Sequence, residues 1–70
     1  MDNDLDKLFK EVDLIKKDGY IVMIKYDGER IENTITTAII DPKSEKEAIQ
    51  YHGEELKILL VKMISAYRRS

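Results

Sequence analysis

The chain has 70 residues, 43% of them apolar, with 12 basic and 14 acidic side chains, no cysteine and no tryptophan. That length holds one small domain, residues 1–70, which buries only about 60% of the surface its unfolded form exposes. The missing cysteines exclude disulfides, thiol catalysis and thiolate metal sites, and a net charge of −2 lacks the basic excess that usually marks a nucleic-acid binder.

The opening residues Met1-Asp2-Asn3-Asp4 are acidic and lack the basic and apolar regions of a signal peptide. The longest apolar runs, Tyr20–Ile24 and Ile58–Val61, fall far short of the ~20 residues that span a bilayer. A cytoplasmic protein with no membrane segment is expected.

Leu5, Leu8, Phe9, Val12 and Ile15 recur at helical spacing and predict one apolar stripe on a helix over about residues 4–17. Asp2, Asp4 and Asp6 at its start and Lys16 and Lys17 at its end suit the helix dipole, and Asp18-Gly19 supplies the stop. The Asp2-x-Asp4-x-Asp6 rhythm also opens calcium loops. Such a loop needs glycine at its sixth position and glutamate at its twelfth, where this chain has Lys7 and Asp13. The acids are expected to decorate the helix start.

Tyr20 to Tyr26 is rich in β-branched and aromatic residues and predicts a strand. Asp27-Gly28 favours a two-residue type I′ turn, with a returning strand from Glu29 to Ile40. That register opposes Ile24 to Ile31 and Val22 to Asn33. It gathers Tyr20, Val22, Ile24, Ile31, Ile35 and Ile39 on one face. Asp41-Pro42 ends the strand.

Two arrangements fit the remainder. A capping-box spacing at Ser44 and Glu47 allows one long C-terminal helix and an α-β-β-α order, with Gly53 in mid-helix. His52-Gly53-Glu54-Glu55 reads better as a fresh helix start, giving a short third strand at about 46–51 and a helix over 54–67. The expected fold is then α+β, α-β-β-β-α, an antiparallel sheet with both helices on one face. Gly19, Gly28 and Gly53 each fall at an expected turn, which leaves none for a ligand loop.

No catalytic or metal motif is present. His52 is the only histidine, and neither HExxH, GxSxG nor a phosphate-cradling loop occurs. His52 is expected at a turn or helix start, with no enzyme activity, cofactor or metal. The acids Asp41, Glu45, Glu47, Glu54 and Glu55 read as a solvated edge, and Arg68 and Arg69 as partners of a helix C-terminus.

Apolar residues on the wrong side carry the functional expectation. Ile21 and Met23, with Ala38 and Ile40 on the neighbouring strand, point away from the predicted core. On the last helix Leu56, Leu59, Leu60, Met63, Ile64 and Tyr67 form the inner stripe, so Ile58 and Val61 lie on its far side. Contiguous exposed apolar area marks an interaction surface. The expectation is a non-enzymatic interaction protein, a homodimer that engages another macromolecule. Two alternatives stay open. One is a nucleic-acid-binding regulator using Lys25, Arg30, Arg68 and Arg69. The other is a small-ligand binder with an interface pocket built from Tyr20, Tyr26, Tyr51 and Tyr67.

The element order resembles that of double-stranded RNA-binding domains. Those domains carry a lysine cluster at the start of the second helix, where this chain has Glu54 and Glu55, and a histidine-containing loop where it has Asp27-Gly28. The resemblance therefore implies a fold and not RNA binding. The segment Tyr51-His52-Gly53-Glu54-Glu55-Leu56, leading into Leu60, Met63, Ile64 and Tyr67, looks like the ending of short phage and prophage proteins. It implies a phage-type accessory or host-interaction protein and identifies no site.

Overall fold

The computed structural model describes residues 4–29, 31–44 and 47–69. Five elements follow one another: α1 (Asp4–Lys17), β1 (Ile21–Tyr26), β2 (Ile35–Ile40), β3 (Ile49–Gly53) and α2 (Leu56–Arg69). The strands form one antiparallel sheet in the order β1-β2-β3, with the most deeply buried strand in the centre. This is the expected α-β-β-β-α arrangement, and the single-long-helix alternative does not occur.

Alternation along the strands decides which side is buried. Val22, Ile24, Ile39, Ile49 and Tyr51 face the helices and join Leu5, Leu8, Val12 and Ile15 of α1 and Leu56, Leu60, Met63 and Ile64 of α2 in one core. Leu60 and Met63 are fully buried at its centre. Both helices pack on this side of the sheet, and no described element covers the other.

The hairpin differs from expectation. Tyr26 pairs with Ile35 and Ile21 with Ile40, so the pairing is shifted by six residues from the one Asp27-Gly28 predicts. The connection spans Asp27 to Thr34 and is closed by the Asp27 N–H donating to the Thr34 carbonyl at 2.7 Å. The Asp27 carboxylate accepts the Glu29 N–H at 3.0 Å, a local turn that competes with strand pairing. Positive φ falls at Asn33 (54°), not at Asp27 or Gly28, so no type I′ turn forms. Because the shift is even, Tyr20, Val22, Ile24, Ile35 and Ile39 keep their predicted face. Ile31 does not: it leaves the ladder and is 95% exposed.

Three further corrections concern position, the first being that α2 (Leu56–Arg69) starts and ends two residues later than the expected 54–67. Phe9, expected in the core stripe, is 39% exposed and lies outside the core cluster. β3 begins and ends later than expected, so His52 and Gly53 lie in the strand rather than at a turn or helix start. Gly53 is needed there for a close approach, since a Cβ would sit 3.0 Å from the Leu59 side chain. Asp2, Arg30 and Glu45, which entered the sequence reading, lie outside the described residues.

Candidate interaction surfaces

The uncovered face of the sheet is built in three cross-strand rows. Ile21 opposes Ile40 in the first, Met23, Ala38 and Gln50 form the second, and Lys25, Thr36 and His52 form the third. One end of the face is therefore apolar and the other polar. Ile21 is 50% exposed and Met23 37%, while Ile40 is half-buried. Ala38 belongs to this face as expected, yet it is 2% exposed, because its methyl lies low between the longer side chains of Met23 and Gln50.

At the polar end the Thr36 hydroxyl and His52 Nδ1 are hydrogen-bonded at 2.8 Å across the strands. This pairing orients the only histidine of the chain, which sequence reasoning had placed in a turn. It fixes one ring nitrogen of an otherwise exposed side chain. Among the described residues no three histidine, aspartate or glutamate side chains converge in a way that could hold a metal ion.

The second expected surface divides in two. Ile58 and Val61, 47% and 46% exposed, are three residues apart on α2 and border different grooves. Ile58 lines a shallow groove of about 190 Å³ with His52, Gly53, Glu54, Glu55, Leu59 and Lys62. Val61 lines a larger groove of about 460 Å³ between the two helices, with Leu8, Lys7 and Lys10 of α1 among its lining residues. Lys57 to Asp4 at 2.9 Å and Arg68 to Glu11 at 2.6 Å bridge α2 to α1. Their exposure lets water and salt screen both pairs, which therefore orient the helices more than they stabilise them.

Among the described residues, the basic side chains of one alternative reading are spread apart, and of the four tyrosines of the other Tyr20 and Tyr67 meet. Lys25 lies on the open sheet face, whereas Arg68 and Arg69 end a helix on the opposite side, with Arg68 engaged by Glu11. Tyr20 and Tyr67 stack edge to face with centroids 5.1 Å apart, Tyr51 faces the core, and Tyr26 stands 64% exposed at the other end of β1. No helix among the described residues is long and apolar enough to cross a membrane.

Exposed apolar residues at Phe9 and Leu14 were not foreseen as surface. Leu14, 55% exposed, sits off the helical stripe and was detectable by its spacing alone. The chain matches no protein-family model, and no curated protein or solved structure is significantly similar to it.

Proposed function

We propose that the protein is a non-enzymatic binding module that works as a homodimer and engages another macromolecule through the open face of its sheet. The observation that carries this reading is the apolar end of that face. Ile21, Met23 and Ile40 surround Ala38 there, on the side of the sheet that no helix covers. A domain of this size has little core to spare, and covering these groups with a second surface adds burial that its own helices do not supply. The likeness of its last third to short phage and prophage proteins fits an accessory role of this kind.

Sedimentation equilibrium and capture from lysate test the reading together. The expected result is a dimer mass for the wild type at tens of micromolar, and a Met23→Asp variant that keeps its circular dichroism spectrum but loses captured material. An Ile58→Asp variant, altered on the other side of the molecule, retains open-face capture. Equal capture of the same species by wild type and a folded Met23→Asp variant overturns the assignment of the face.

A further inference from the structure

We infer that two copies of this chain join edge to edge at β1, antiparallel, so that two three-stranded sheets continue as one with all helices on one side. The inference deepens the homodimer reading above and rests on it for the occupant, a second copy.

The sheet has two edges, β1 and β3. On each, every second residue directs its backbone N–H and C=O outward, a template for another strand. Natural edges are blunted by charge, proline, bulges or short length. β3 is the shorter strand, ends in Gly53 and carries exposed Gln50 and His52. β1 reads Ile21-Val22-Met23-Ile24-Lys25-Tyr26, with one charge and no proline, and among the described elements it packs on β2 and α1.

Charge separates the two edges further. An antiparallel self-pairing places the start of one strand beside the end of its copy. For β3 that sets Glu47 beside Glu54 and Glu55 of the other copy, acid against acid at both ends. For β1 it brings the end where α1 closes with Lys16 and Lys17 to the end from which Asp27 and Glu29 follow. Asp18 lies between them and accepts the Tyr67 hydroxyl. Self-pairing is thus repelled at one edge and favoured at the other.

The pleat narrows the register. A two-fold axis normal to the sheet must pass beside a residue, and the middle of β1 offers Met23 or Ile24. An axis at Ile24 offsets the two Lys25 residues by roughly 7 Å along the strands, whereas an axis at Met23 offsets them by roughly 14 Å. The axis at Met23 also opposes Ile21 to Lys25 and Val22 to Ile24 of the other copy. It sets Met23 and Ala38 of both copies in one row, which fuses the two open faces into a single wider apolar surface.

The test uses the full chain and its lack of cysteine. A Met23→Cys variant carries one thiol on the axis and is expected to form a covalent dimer on mild oxidation. A Gln50→Cys control, whose copies lie about 24 Å apart across five strand spacings, is not. Separately, Lys17→Glu and Glu29→Lys each weaken the dimer roughly tenfold, since two attractive pairs become repulsive. An equimolar mixture of the two recovers it, because unlike charges then meet at both ends. Cross-linking no faster at Met23→Cys than at Gln50→Cys, or a mixture no tighter than either variant alone, overturns the edge pairing. A dimer that persists in that case keeps the homodimer reading and moves its contact elsewhere; a wild-type monomer at about 100 µM overturns both, and the capture experiment still judges the open face.

Discussion

At the scale of single residues, two positions in the sheet behave unlike their neighbours. Thr37 is fully buried on the helix-facing side of β2, between Ile24 and Tyr51, and its hydroxyl has no hydrogen-bond partner. A desolvated, unpaired hydroxyl costs about 1–3 kcal/mol, and valine fills nearly the same shape without that cost. Thr37→Val is therefore expected to raise stability by about 1 kcal/mol, read as a higher urea midpoint; a lower midpoint would show that the hydroxyl is satisfied. Gly53 is the opposite case. A Cβ there would meet the end of the Leu59 side chain at 3.0 Å, so Leu59, itself buried, must give by a few tenths of an ångström. Gly53→Ala is expected to cost about 1–3 kcal/mol in the same measurement. Neither effect was legible in the sequence. Thr37 is ordinary in a strand and Gly53 ordinary at a turn, and only the packing of α2 on β2 and β3 makes them special.

At the scale of elements, α1 and the inner stripe of α2 could be read directly, because a 3.6-residue period is local and independent of what lies opposite. The hairpin could not. Asp27-Gly28 is a strong turn signal between two apolar runs, and the alternation of β2 agrees with any even shift of register. What decides the pairing is non-local: Ile35–Ile40 is a continuous strand that α2 can cover, whereas Glu29 to Asn33 offers no apolar face beyond Ile31. The same ambiguity left the open face correctly assigned despite the wrong partners. A glycine substitution distinguishes the two turns. In a type I′ turn Gly28 needs positive φ, and alanine there is strained. In the observed connection Gly28 lacks positive φ and an added Cβ meets nothing within 4 Å. Gly28→Ala is thus expected to be neutral or to stabilise by about 0.4–1 kcal/mol. Asn33→Val, which forces a β-branched residue into the left-handed region, is expected to destabilise by about 1–2 kcal/mol. Thermal melts of the two variants that reverse this order would restore the shorter turn.

At the scale of the whole molecule, the surplus of apolar groups was visible from the outset, but not how the two helices are tied to the sheet. Tyr67, near the end of α2, closes that arrangement: its ring meets Tyr20 just before β1, and its hydroxyl donates to Asp18 just after α1 at 3.4 Å. One side chain thus connects the end of the chain to the junction of its first two elements. Desolvation, the Asp18 carboxylate and Tyr20 together raise the Tyr67 hydroxyl above its ordinary value of 10.0. The folded state therefore holds this proton more tightly than the unfolded chain does. The linked stability is complete below the ordinary value and is lost as pH rises through the raised one, since ionised Tyr67 would donate no hydrogen bond and would face a like charge at Asp18. Tyr67→Phe keeps the ring contact and removes the titration. Urea melts at neutral pH and in the alkaline range are expected to show the wild type losing more stability than the variant as pH rises past the ordinary tyrosine value, and parallel losses in the two proteins would assign the alkaline fall to other groups.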